Sequence, residues 1–180
     1  MLDYLSRKQL QKLHDLKSDR NAQRILKEMD RYLSSFHDGQ KIYYLNKEGR
    51  ERVNCDIVRK KTFNVNHYLM RNDVYIAYGC PKSWKNEQRI FYQKGKHRIV
   101  AVCDAKFEMN DSTYIVEVDN TQTMKKNETK IEKYRRLVER NVLGRNPKFI
   151  WVTTTNYRRN LLTELCEGLN VEVYLSTDFH

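Results

Sequence analysis

The sequence predicts an α/β chain of the α+β kind: a small helical module, then a larger domain built on a mixed sheet. Three observations carry this. Apolar residues recur at helical spacing through residue 33 and give way to a short strand. Residues 98–121 read as two strands joined by a turn, with carboxylates breaking into the apolar run. Beyond them, strands rich in β-branched residues alternate with helices, so part of the sheet is expected to be parallel. The expected division is 1–58 and 59–180.

The chain has 180 residues and a formal net charge of +11, a basic balance that favours a polyanion, nucleic acid before an anionic membrane surface. No run approaches the ~18 apolar residues of a transmembrane helix. Met1-Leu2-Asp3-Tyr4 does not open a secretory signal, and Cys55, Cys80, Cys103 and Cys166 form no C-x-x-C pair. A cytoplasmic protein with reduced thiols and no membrane partner is expected. Two prolines and six glycines leave no low-complexity linker.

In the first module, Ser6 and Gln9 have capping-box spacing and start a helix striped by Leu10, Leu13 and Leu16. Ser18 caps a second helix, whose inner face is Ala22, Ile25, Leu26, Met29 and Leu33. Its outer face carries Arg20, Asn21, Gln23, Arg24 and Lys27, side chains of the kind that reach base edges and phosphates from a major-groove helix. A turn at His37-Asp38-Gly39-Gln40 leads to the strand Lys41–Leu45; Asn46-Lys47-Glu48-Gly49-Arg50 follows, and Glu51, Arg52 and Val53 extend a terminal helical turn. Helix, helix and hairpin make the layout of a winged helix-turn-helix, with Lys41 and Lys47 adding phosphate contacts.

In the second domain, a helix is expected from Thr62 to Tyr78, stopped by Gly79-Cys80-Pro81. His67 in it reads as a core or interface histidine. Glu87 stands between Trp84 and the apolar Ile90-Phe91, ahead of a basic loop of Lys94, Lys96, His97 and Arg98. Then come Ile99–Cys103, a turn at Asn110-Asp111-Ser112, and Tyr114–Val118. Asp104 ends the first strand. Glu117 and Asp119, two apart, share a face of the second. If the hairpin closes, the three carboxylates converge and need a proton or a divalent cation between them, Mg²⁺ or Mn²⁺. A helix follows from Thr121 to Val142, then a strand 149–153, a helix 156–167 and a strand 171–175. Residues 121–160 hold eleven Lys/Arg against three Glu, with Lys126, Lys130, Lys133 and Arg140 along one helix face, Lys126 and Lys133 serving phosphates.

Two resemblances follow. The string Y-Y-L-N-K-E-G-R (Tyr43–Arg50) resembles the wing ending Y-x-L-T-x-x-G of bacterial winged-helix proteins. Winged helices normally carry a further helix before the one starting at Ser6. Either it is missing here, or a partner chain or the helix after Arg59 fills its place. The second domain resembles the PD-(D/E)XK superfamily, which implies a restriction-endonuclease-like fold. Glu87 then matches the helix or pre-hairpin acid, Asp104 the metal-binding Asp and Glu117 the second acid, thirteen residues on. Asp119 stands where those nucleases carry Lys, so the ammonium would come from Lys130 or, less well placed, Lys106.

The whole chain resembles the bacterial replication-relaxation family of plasmids, integrative elements and phages. The likeness lies in that wing ending, His67 with Asn72-Asp73, W-K-N-E around Glu87, C-D-A at Asp104, and E-V-D-N-T running into K-I-E-K-Y. Glu-x-Asp is usual in that family. The resemblance implies a protein that binds double-stranded DNA in replication or mobilisation of a mobile element, with a nuclease-like domain that is degenerate. Two alternatives stay open. One is a metal-dependent nickase or endonuclease with Asp104, Glu117 and Asp119 at Mg²⁺ or Mn²⁺ and Glu87 and Lys130 completing the site. The other is a transcriptional repressor that forms a homodimer through the second domain.

Overall fold

The computed structural model describes residues 2–179; Met1, where the first expected domain begins, and His180, where the second ends, lie outside them. Backbone packing divides the chain into two units at Ile76/Ala77, later than the 58/59 division read from the sequence.

The first unit is a helix-turn-helix laced into a three-stranded sheet of order β1-β3-β2. Strand β1 (Leu5–Ser6) runs into α1 (Arg7–His14), whose capping box closes as the spacing predicts: Gln9 N donates to Ser6 Oγ and Ser6 N donates to the Gln9 amide oxygen. Asp15 and Lys17 adopt positive φ in the turn. Ser18 then caps α2 (Asp19–Glu28) through Asn21 N. Strands β2 (Leu33–Asp38) and β3 (Gln40–Leu45) form the hairpin around Gly39, whose φ of +64° the turn requires.

The wing ending has a steric reason. Asn46 caps the short α3 (Lys47–Arg52) by accepting from Gly49 N at 2.8 Å, and its amide donates to Arg31 O. A Cβ on Gly49 would sit 2.1 Å from the Tyr32 carbonyl oxygen. Only glycine lets that helical turn lie against the end of β2.

The question of the missing helix is answered by α4 (Val65–Ala77), shorter at both ends than the expected 62–78. Its Val65 and Leu69 join Tyr4 and Ile42 in one buried cluster. Gln9 Nε2 donates to Leu69 O and Asp73 Oδ1, and Asn72 Nδ2 donates to Tyr4 O. Asp3 holds both Arg59 and the fully buried Arg71 at 2.6 Å. The helix after Arg59 therefore completes the first unit's core, from the far end of the module.

The second unit is a five-stranded sheet of order β4-β5-β6-β7-β8. Strands β4 (Lys85–Lys94), β5 (His97–Met109) and β6 (Ser112–Asp119) are antiparallel, while β7 (Lys148–Thr153) and β8 (Val171–Leu175) continue parallel to β6. The mixed sheet is the one expected, with one strand more: residues 85–94, read from sequence only as a lead-in, form the edge strand β4. Its polar and basic residues hide the apolar alternation that marks a strand. Positive φ at both Asn110 and Asp111 makes the β5–β6 turn of the primed type that matches strand twist. Helices α5 (Met124–Glu139) and α6 (Asn156–Leu165) supply the crossovers. Ile131, Tyr134 and Leu137 of α5 pack on Ile99, Ala101, Cys103, Ile115 and Trp151 of the sheet. Among the described residues, no helix is long and apolar enough to cross a membrane.

Candidate functional site

The acid-bearing strands meet because β4 and β5 change face together. Cys103 packs on the α5 side of the sheet, whereas Phe107, four residues on, stacks on Tyr114 across the opposite side. Strict alternation would keep 103 and 107 together, so the pleat breaks between them. The break falls at Asp104 and at Glu87, which lies opposite it between the pairs Asn86↔Ala105 and Gln88↔Cys103 and has φ +50°. One step beyond the β5–β6 pair Ala105↔Val116, Asp104 comes opposite Glu117. Its Oδ2 accepts from Val118 N at 2.7 Å.

Glu117 is 1% exposed and sits under α5. Lys130 Nζ donates to its Oε2 at 2.5 Å, and the Tyr134 hydroxyl donates to its Oε1. Lys130 and Tyr134 are one helical turn apart and reach down from the same face. Burial, and then the Asp104 charge, hold the Glu117 carboxyl well above the ordinary carboxylate range. Burial works to lower the Lys130 ammonium, but the Glu117 and Asp104 carboxylates outweigh it and hold it above the usual lysine value. Burial raises the Tyr134 hydroxyl well above the usual tyrosine value, and Glu117 raises it further. Burial, with Glu117's charge second, pushes the Cys103 thiol up to about 12, which keeps it protonated and a poor nucleophile.

Asp119, on the same face two residues on, has other partners. Arg158 at the start of α6 grips it with both ends of its guanidinium, Nε to Oδ2 at 2.7 Å and Nη2 to Oδ1 at 2.6 Å. Asn127 Nδ2 donates to Oδ1 and the Thr153 hydroxyl to Oδ2, so both oxygens are fully engaged. The same Arg158 Nη2 also donates to Gln122 O, tying the β6–α5 connection to α6.

The structure thus brings Asp104, Glu117 and Lys130 together, sets Glu87 opposite Asp104 with its side chain exposed, and turns Asp119 into an ion pair. Lys106 lies beside Glu108 at 3.0 Å, on the stretch of β5 beyond the break. The carboxylates expected to hold Mg²⁺ or Mn²⁺ meet N–H and O–H donors here: Asp104 the Val118 amide, Glu117 the Lys130 ammonium and Tyr134 hydroxyl, and Asp119 the Arg158 guanidinium. Among the described residues, no group of three or more His, Cys, Asp or Glu side chains is placed to hold a metal. Tyr134, Asn127, Thr153 and Arg158 were not singled out from the sequence as site residues. The i, i+4 spacing of Lys130 and Tyr134 was a usable signal; nothing local marks Arg158, 39 residues from Asp119.

Lysines continue outward from this pair. A cleft of about 550 Å³ is lined by Gln122, Thr123, Lys125, Lys126, Thr129, Lys130 and Lys133 at the start of α5. In the first unit, Arg20, Gln23, Arg24 and Lys27 are exposed on α2, and Lys41 and Lys47 on the hairpin and α3. Arg24 pairs with Glu28 at 2.7 Å. Asn21 is drawn into the turn: its amide donates to Leu16 O and accepts from Arg24.

The Replication-relaxation family model matches residues 2–153, from β1 through the acid-bearing strands to the end of β7. No curated protein matches. Among solved structures, the crystal structure of protein VC1899 from Vibrio cholerae is similar at 16% identity and a TM-score of 0.48, over 91% of this chain and 41% of that one. This chain therefore spans less than half of that protein's length. No helix of the described residues spans a membrane, and the family's name links the chain to replication in general terms. With the match covering residues 2–153 of 180, all of the described first unit and most of the second, the chain belongs to the Replication-relaxation family.

Proposed function

We propose that this is a DNA-binding protein of a mobile element that acts in its replication or mobilisation, reading duplex DNA through α2 and the β2–β3 hairpin. The carrying observation is the β1-β3-β2 sheet with a helix-turn-helix strung between β1 and β2, the second helix presenting Arg20, Gln23, Arg24 and Lys27 to solvent. The lysine-lined cleft on α5 supplies phosphate contacts through Lys125, Lys126 and Lys133. In this reading the nuclease-like unit holds DNA without cutting it. Its carboxylates are already committed: Glu117 to Lys130 and Tyr134, Asp119 to Arg158.

The reading is tested by duplex binding measured across a salt series. Affinity should fall steeply with salt, and Lys126→Ala with Lys133→Ala should weaken binding to all sequences and flatten the salt slope by about one per lost phosphate contact. Arg20→Ala and Gln23→Ala should cost about 1–3 kcal/mol each on the recognised site and less on other sequences. Duplex affinity unchanged by all of these substitutions would overturn it. A second reading, a metal-dependent nickase, is favoured by one observation: Asp104, Glu117 and Lys130 do converge, as that chemistry needs. Cleavage of plasmid DNA in Mn²⁺ separates the two.

A further inference from the structure

We propose that the outer face of the β4–β5 ribbon is a stacking platform for single-stranded DNA, with a base resting on Phe91 and neighbouring phosphates held by Arg89 and Arg98. The class of ligand rests on the reading above; the surface is separate from the helix and hairpin that reading uses.

Residues alternate along the ribbon. Ile90, Ile99 and Ala101 turn into the core beneath α5, with Tyr92 packed against them. The pairs Arg89↔Val102, Phe91↔Val100 and Gln93↔Arg98 therefore lie on the opposite face. There Phe91 and Val102 are each 48% exposed. The Arg89 guanidinium lies 5.9 Å and the Arg98 guanidinium 5.8 Å from the centre of the Phe91 ring, one from each strand. From Gln88 to Cys103 the sequence has four Lys/Arg and no acid.

A half-exposed aromatic ring flanked by two cations, on a stretch of ribbon from Gln88 to Cys103 without acids, matches a partner that carries π-faces and anionic charge at close spacing. Single-stranded nucleic acid has both in every nucleotide. Duplex DNA has the charge but keeps its bases in the stack, out of reach of Phe91. An apolar protein surface would cover the ring and leave Arg89 and Arg98 without counter-charge.

The test uses the full chain and the fluorescence anisotropy of a labelled oligothymidylate of about 16 nucleotides. Phe91→Ala should weaken binding about tenfold. Phe91→Leu keeps apolar bulk but no ring and should fall with it, while Phe91→Trp should bind at least as tightly as wild type. Arg20→Ala with Lys27→Ala, which disarms α2, should weaken duplex binding while the loss caused by Phe91→Ala on oligothymidylate persists in that background, so failure of either proposal is visible without the other. Wild-type affinity in Phe91→Ala would overturn the platform, as would full binding by Phe91→Leu. Phe91-dependent binding to phosphatidylserine vesicles without binding to the oligonucleotide would overturn it as well.

Discussion

Glu117 and Asp119 are carboxylates two residues apart on the same face of one buried strand, and they are solved differently. Asp119 accepts from Arg158, Asn127 and Thr153, with a planar guanidinium matched to both its oxygens. Glu117 has one flexible ammonium, one phenol and a like charge in Asp104 nearby. The first arrangement neutralises the charge and satisfies every lone pair worth satisfying. The second leaves the carboxyl's affinity for a proton raised above the ordinary. A bidentate arginine from α6 makes an acid into a joint of the fold; a single lysine ammonium reaching down from α5 leaves an acid that can still exchange partners.

Removing the joint should have the largest effect. Asp119→Ala leaves the Arg158 guanidinium without its carboxylate and strips the buried Asn127 amide of its carboxylate acceptor. The loss of one member of a buried pair costs about 3–5 kcal/mol, and the 22% exposure of the Arg158 side chain places this case at the low end. Urea denaturation measures it. Lys130→Met should cost less, about 1–3 kcal/mol near neutral pH, because Glu117 can keep its proton once the ammonium is gone. The penalty should shrink as pH falls and Glu117 takes up its proton.

The smallest change is Glu117→Gln, and its sign depends on pH. The folded carboxyl lies well above its ordinary value of 4.5, so the folded state retains a proton that the unfolded chain has already released. The stability this contributes is complete below the ordinary value and is lost as pH rises through the raised folded value. Glutamine cannot ionise, and its amide oxygen can still accept from Tyr134. Glu117→Gln should therefore gain on wild type as pH rises from 4.5, within about 1 kcal/mol at the acid end. Denaturation midpoints across that rise read the difference; a variant that loses ground instead would show that Glu117 is ionised and anchored as firmly as Asp119.

Much of this was legible in the sequence, for local reasons. Capping at Ser6 and Ser18, the wing ending at Gly49 and the convergence of Asp104 with Glu117 depend on spacings of a few residues or on one hairpin. What was hidden depends on distance. Arg158 meets Asp119 only after the α5 crossover and β7 have been laid down. The helix α4 reads as the start of the second domain by position, yet Leu69, Asn72 and Asp73 bind Tyr4 and Gln9. The break in the β4–β5 pleat rests on a positive φ at Glu87, a residue type that gives no warning of it.

On the proposed function, this family member holds DNA through its helix-turn-helix and keeps its acids as internal partners. Incubating supercoiled plasmid with the protein in Mn²⁺ tests it most directly, with Asp104→Asn and Glu117→Gln alongside. The account predicts a retarded, uncut plasmid for all three proteins. Nicking by the wild type that disappears in both variants would contradict it and make Asp104, Glu117 and Lys130 a working nuclease centre.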